Sequence, residues 1–331
     1  MITQKFPWQQ ALIQAVTDIN VLAELLNIEL DNQFTTPFPL RVPRGFVNKM
    51  KKGDLNDPLL LQVLALKQET LIDPNFSTDP LQESNCNPHP GILHKFKNRV
   101  LLTLTGHCAV NCRYCFRRHF PYENNTLSLK TWEKNLGYVR QNPDIIEVIL
   151  SGGDPLTTND NYLKALIDHI ESIDHIQYLR IHSRVPIVLP ERINENFINI
   201  LQNRRLKITM IVHCNHAQEL CSDIAHSVQL LKNNNITVFN QSVLLKNVND
   251  NISTLKELSF ALYHHGIIPY YINLLDKVQG AQHFQVDNQT ISDLIEKLSC
   301  ELPGFLLPRF VREVPGAAHK IVQRPHQTHY D

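Results

Sequence analysis

The chain has 331 residues, 43% of them hydrophobic and 19% charged, which suits one large α/β domain with a sizeable core. Lysine plus arginine and aspartate plus glutamate each total 32, so a formal net charge of zero gives no pull towards nucleic acid or a membrane surface. No apolar run approaches the roughly 18 residues of a membrane span. The start of the chain lacks a basic stretch before an apolar core. Three of the seven cysteines crowd into residues 108–115, which is no disulfide framework, and the cytoplasm is the expected compartment.

Taken in chain order, Leu12, Ile13, Val16, Ile19, Leu22, Leu25 and Leu26 stand at helical spacing and predict a helix over Gln9–Leu26. Leu59–Leu71 reads as a second apolar helix, and the Pro-, Asn- and Asp-rich stretch Asp73–Gly91 as an extended connector. From Arg99 onward, short apolar runs alternate with amphipathic ones. The predicted strands are Val100–Thr105, Ile145–Leu150, Ile176–His182, Leu206–Val212, Ile236–Ser242 and Ile268–Asn273. The predicted helices between them are Ser128–Gln141, Asp160–Ile173, Asn194–Asn203, His216–Asn233 and Asn251–His265.

Such alternation gives a parallel sheet with right-handed crossovers. The expected fold is α/β: a partial (β/α)6 barrel of the TIM type, with a doubly wound open sheet as the alternative. Residues 1–93 are expected to form a helical extension, 94–320 the core and 321–331 a short tail. In either architecture the chemistry belongs at the carboxyl ends of the strands.

Directly after the first core strand, Cys108, Cys112 and Cys115 have the spacing C-x3-C-x2-C. Three thiolates on one loop hold three irons of a [4Fe–4S] cube and leave the fourth iron open to another ligand. Structural zinc is the bland alternative, but it favours a second cysteine pair; only His213, Cys214 and His216 offer a substitute. Tyr114, just before the last cysteine, suits a cube shielded from solvent. After the second strand, Ser151-Gly152-Gly153-Asp154-Pro155 forms a turn whose glycines permit close backbone approach.

This cysteine loop resembles that of the radical S-adenosylmethionine superfamily. The resemblance implies that the methionyl amine and carboxylate of S-adenosylmethionine chelate the open iron. One electron from the cluster then cleaves the S–C5′ bond, giving methionine and a 5′-deoxyadenosyl radical. Ser151, Gly152, Gly153 and Asp154 resemble the family segment that holds the methionine amine.

Further segments are similar to lysine 2,3-aminomutases: His182–Pro186, Leu189–Ile193, Asn240–Leu245, Pro269–Ile272 with Asp276, and Val314–Lys320. That resemblance runs in order from Arg99 to Lys320 and implies a second cofactor, pyridoxal 5′-phosphate. Lys320 would carry it as a Schiff base, with Arg99 and Gln241 on its phosphate. Gly316, Ala317 and Ala318 are expected to leave room for its ring, although Ala317, Ala318 and His319 replace smaller residues of the family.

Arg117 matches the family's anchor for the substrate carboxylate, and a guanidinium fork suits that task. Arg113 and Arg118 are chemically equivalent neighbours. Asp276 and Glu313 match the acids that hold the side-chain ammonium of L-lysine, with Glu313 longer by one methylene than the usual aspartate.

The implied reaction is conversion of L-lysine to β-lysine. The Arg113–Tyr122 segment, Glu313 and the short tail resemble the bacterial enzymes that serve elongation factor P. The partners that follow are that factor, its ligase related to lysyl-tRNA synthetase, and a cellular one-electron reductant. A glutamate-type 2,3-aminomutase is the enzymatic rival and a non-catalytic iron–sulfur protein the rival of another class. Neither needs the full set of Arg117, Asp276, Glu313 and Lys320.

Overall fold

In the computed structural model, which describes residues 7–30, 36–127 and 131–325, the apolar runs become strands of one nine-stranded sheet. The strands are β1 (Ile92–Phe96), β2 (Arg99–Thr103), β3 (Glu147–Ser151), β4 (Tyr178–Ser183), β5 (Lys207–Val212), β6 (Thr237–Leu244), β7 (Ile268–Leu274), β8 (Arg309–Arg312) and β9 (Ile321–Val322). Their order across the sheet is their order along the chain. β2 to β8 run parallel, while β1 and β9 add antiparallel edges.

Among the described residues two helices longer than a single turn, α1 (Pro7–Ile13) and α2 (Ile19–Leu26), precede the sheet. The crossovers are α3 (Trp132–Gln141), α4 (Asp160–Glu171), α5 (Glu195–Leu201), α6 (Ser222–Asn233), α7 (Ile252–His264) and α8 (Asn288–Glu301). The units β2–α3 to β7–α8 make the expected partial (β/α)6 barrel, and its edge strands do not pair to close it. No helix among the described residues is long and apolar enough to cross a membrane.

Several expected boundaries move. The run Gln9–Leu26 is two helices, because Val16 leaves the helix to exchange backbone hydrogen bonds with Val42 (2.8 and 3.0 Å) and Asp18 then caps α2. Leu59–Leu71 is not one helix. Asp57 caps the single turn Pro58–Leu61, but the Gln62 carbonyl accepts from Arg113 N at 2.9 Å. The Leu66 N–H turns instead to Glu69 Oε1, which ends helical continuation. The helix expected from Ser128 is seen from Trp132; residues 128–130 and 326–331 lie outside the described residues.

Period-two alternation along the strands positions the site. On β6, Val238, Asn240, Ser242 and Leu244 are buried, whereas Gln241 and Val243 face a cavity on the other side of the sheet. The same alternation sends Arg180 and His182 of β4, Ile149 and Ser151 of β3, and Tyr271 and Asn273 of β7 into that cavity. The opposite face packs under the crossover helices. Trp8, Leu22, Leu26 and Phe46 of the first hundred residues join the same core as Val100, Leu150 and Leu179.

Candidate active site

Cys108, Cys112, Cys115, Ser151–Asp154, Arg99, Gln241, Arg117, Asp276, Glu313 and Lys320 all line one cavity of about 540 Å³. The cysteine loop forms one wall. Its turns close through Cys115 N to Cys112 O (3.0 Å) and Arg118 N to Cys115 O (3.1 Å), and Asn111 N is tied to Arg41 O (2.9 Å).

Burial pushes the Cys115 thiol up to about 11 and Cys108 well above its ordinary value, with the neighbouring cysteines adding to both shifts. A thiolate buried in this loop needs a counter-charge, which a metal cluster would supply. Among the described residues no three His, Cys, Asp or Glu side chains converge on a single ion. A cube carries each thiolate on a different iron and does not need that convergence. The nominated zinc substitutes are otherwise engaged: the Cys214 thiol lies 3.4 Å from His216 O, and His213 Nε2 shares a hydrogen bond with the Tyr114 hydroxyl at 2.9 Å.

The Gly152-Gly153 turn packs backbone to backbone on the cysteine loop. Gly152 has φ of +118°, and a Cβ there would lie 2.7 Å from Thr105 O; one on Gly153 would overlap the His107 carbonyl. Close approach is thus demanded first by the cluster loop itself. Gly153 N donates to Thr105 O (2.6 Å) and Asp154 N to His107 O (2.8 Å). The Asp154 carboxylate, buried, accepts from Leu156 N, Ser183 Oγ, Arg184 N and Val185 N at 2.7–3.2 Å, stitching the end of β3 to that of β4.

Of the three neighbouring arginines only Arg117 reaches the cavity. Arg113 is locked by Glu69, Phe38 O and Thr36, and Arg118 by Glu69, Arg113 O and Gly280 O. Arg117 itself has a partner the sequence did not reveal. Its Nε and Nη2 donate to the two oxygens of Glu83 at 2.7 and 2.8 Å, leaving the Nη1 end beside Ser151 Oγ (3.3 Å). The expected fork is therefore half committed inside the protein. Burial opposes both charges, but the pairing prevails: Arg117 is held firmly protonated and Glu83 down to about 2.

Lys95, also missed, bridges Glu83 (2.8 Å) and Glu313 (2.7 Å). Asp276 completes this end. It is half-buried by area, but its accessible part opens on the cavity. Its pKa rises to about 7 through burial first and then the Glu313 charge.

Lys320 enters from the hairpin between β8 and β9. Its Nζ donates to Asn273 Oδ1 at 2.7 Å and stands 3.7 Å from Glu313. Gly316, with φ of +78°, turns that hairpin; Gly316, Ala317 and Ala318 do not line the cavity, so their small size serves the turn and not a ring. The cavity beside the hairpin is bounded by side chains of two segments noted above, Pro269–Ile272 and His182–Pro186. Tyr270 and Tyr271 stack 3.7 Å apart between centroids, and Lys320 Nζ lies 5.6 Å from the Tyr271 ring. His182 is held neutral by burial and by Arg180, with its buried Nε2 unpartnered.

Arg99 has no ion pair among the described residues, and burial and Arg180 both press against its charge. Gln241 Nε2 reaches towards His182 at 3.5 Å. A guanidinium with no carboxylate partner among the described residues, an orphaned imidazole nitrogen and the Lys320 amine line one cavity and fit a phosphorylated, aldehyde-bearing aromatic ring.

A curled parallel sheet with three loop cysteines after β2 and a glycine turn after β3 places the chain among enzymes that pair a cluster with S-adenosylmethionine. The Radical SAM superfamily model matches residues 102–208. The chain is 45% identical to the L-lysine 2,3-aminomutase of Haemophilus influenzae over 97% of its own length and 96% of that protein. It is 45% identical to the Escherichia coli enzyme of the same name, covering 95% and 93%, and 33% identical to that of Clostridium subterminale, covering 85% and 67%. The chain belongs to the L-lysine 2,3-aminomutase family, a family of isomerases.

Proposed function

We propose that this protein converts L-lysine to β-lysine with a [4Fe–4S] cluster, S-adenosylmethionine and pyridoxal phosphate, and that the product serves modification of elongation factor P. The observation that carries this reading is the cavity itself, where three thiols, the Lys320 amine, the cavity-facing anchor Arg117 and an acid pair share one enclosure. When bound, the cluster with S-adenosylmethionine supplies one-electron bond cleavage, and pyridoxal phosphate supplies the electron delocalisation that amine migration needs.

The chain supplies placement. Cys108, Cys112 and Cys115 hold the cluster; the Ser151–Asp154 turn shapes the adjoining site for the methionyl end. Lys320 holds pyridoxal phosphate, with Arg99 and Gln241 on its phosphate. Arg117 orients the substrate carboxylate through its Nη1 end. Asp276 and Glu313 receive the distal ammonium, and Tyr270 and Tyr271 wall out water. Residues 1–93 act in this reading as an extension serving the core, since they deliver Glu83 to Arg117 and Gln62 beneath the cysteine loop.

Glutamate fits less well. Its distal carboxylate would face Asp276 and Glu313, and the nearby cation Lys95 is already held between two acids. Anaerobic incubation with S-adenosylmethionine, reductant and labelled amino acids tests the reading. Lysine should give β-lysine that the partner ligase transfers to elongation factor P; conversion of glutamate in its place would overturn the pocket assignment. Free β-lysine that the ligase refuses would overturn only the pathway role.

Asp276 gives this pocket a pH signature. With its pKa at about 7, the empty site is protonated there at lower pH, and an ammonium prefers the ionised form. Lysine is expected to bind roughly tenfold tighter at pH 8 than at pH 6. Isothermal titration across that range should show the trend, and Asp276→Asn should flatten it. The sign for folding is opposite: an acid raised from 3.8 adds stability below that value, and the contribution is lost as pH rises through 7.

A further inference from the structure

The segment His182–Pro186 contains one charged side chain with no part in the scheme above. Arg184 follows β4, is 6% exposed, and runs beneath the cysteine loop. Its Nη1 donates to Cys112 Sγ at 2.8 Å and to the Tyr114 hydroxyl at 2.7 Å. Its Nη2 donates to Gln62 Oε1 (2.7 Å) and Glu219 Oε2 (3.0 Å) on the far side.

Glu219 is fully buried and fixed in turn: its Oε1 accepts from Asn215 N, His216 N and Gln62 Nε2 at 2.8–3.2 Å. The ion pair is therefore oriented, with its positive end on the cysteine and its negative end turned away. Neither other cluster cysteine has such a donor: Cys115 takes a backbone N–H from Arg117, and no donor to the Cys108 sulfur is found among the described residues. In addition, the buried Nε of Arg184 has no acceptor among the described residues.

We propose that Arg184 is a positioning residue that sets the cluster's reduction potential, by donating a charge-assisted hydrogen bond to the Cys112 thiolate. Reduction adds one electron, taken from a low-potential one-electron donor, to a cluster buried in a poorly solvated site. A fixed guanidinium against one ligand sulfur stabilises the added charge, and hydrogen bonds to the sulfurs are among the levers that tune such potentials. No proton moves, because a guanidinium stays protonated throughout and Arg184 is paired with Glu219. The inference rests on the cluster reading and on no feature of the lysine pocket.

The test uses the reconstituted holoenzyme without S-adenosylmethionine or lysine, titrated with dithionite and followed by electron paramagnetic resonance. At the parent's midpoint poise, Arg184→Met should show a reduced-to-oxidised ratio at least tenfold lower, about 59 mV for a one-electron couple. Arg184→Lys, which keeps a donor, should fall between. An Arg184→Met protein with full iron content and the parent's potential would overturn the proposal.

If Arg184→Met fails to fold or to take up iron, the parent decides. Chains grown with guanidino-¹⁵N arginine should show ¹⁵N coupling to the reduced cluster by pulsed resonance, lost in Arg184→Lys. Absence of that coupling in the labelled parent would likewise overturn it. A parent with no reducible cluster at all would sink the three-cysteine assignment along with it.

Discussion

Replacing Lys320 with alanine is expected to lower β-lysine formation by on the order of a thousandfold or more, the scale on which loss of a covalent catalytic group falls. Lys320 lies in the hairpin before β9, where its contacts are Asn273 Oδ1 and Glu313, so its loss leaves the core intact. Iron content and the cluster's resonance should be unchanged. Borohydride treatment of the pyridoxal-loaded parent should fix the cofactor to the chain, and peptide mapping should place it on Lys320. In Lys320→Ala that adduct should be absent. An adduct at another lysine, with turnover retained, would remove Lys320 from its assigned role.

The second large effect concerns Glu83, and it is one of stability. Glu83→Ala strands Arg117, a buried guanidinium, without its counter-charge, and removal of one partner of a buried pair typically costs about 3–5 kcal/mol. Urea unfolding of the metal-free protein at pH 7 measures this. Because pairing holds Glu83 down from 4.5 to about 2, its contribution is present above pH 4.5 and lost as pH falls through 2. The difference between parent and variant should therefore shrink below pH 4.5. If Arg117 anchors the substrate as proposed, the Michaelis constant for lysine should rise as well, since Glu83 fixes which edge of Arg117 faces the cavity. An unchanged unfolding midpoint would show that Arg117 does not depend on this pair.

The elements with strong apolar runs were legible in the chain. Runs such as Ile145–Leu150 and Leu206–Val212 carry enough β-branched and leucine content to announce a buried strand, and β2 to β7 follow them. β8 and β9 escaped because Arg309–Arg312 is half arginine and Ile321–Val322 is two exposed residues. Helix α8 also went unread, although Ile291, Leu294, Ile295 and Leu298 stand at helical spacing along its buried face.

The cysteines, Arg117 and Lys320 were singled out because motif context marks them, and the fold brings them to one cavity. Glu83 and Lys95 were not, since an acid in a Pro- and Asn-rich stretch reads as a solvated connector. Only the fold brings Glu83 under Arg117 and Lys95 between two carboxylates. Arg184 shows the same limit: its segment was recognised, but nothing in spacing tells that its side chain turns beneath the cluster loop. Motif context marks candidate residues along the strand ends, and marks the buried counter-ions that orient them poorly.

The most direct test follows lysine labelled with ¹³C at carbon 3 through anaerobic incubation with the reconstituted chain, S-adenosylmethionine, pyridoxal phosphate and reductant. Magnetic resonance should show the label becoming the amine-bearing carbon of β-lysine in the parent, and staying unchanged in both Cys112→Ala and Lys320→Ala. Conversion that survives either substitution, or a parent that leaves lysine untouched, would contradict the joining of cluster and lysine pocket in one active site.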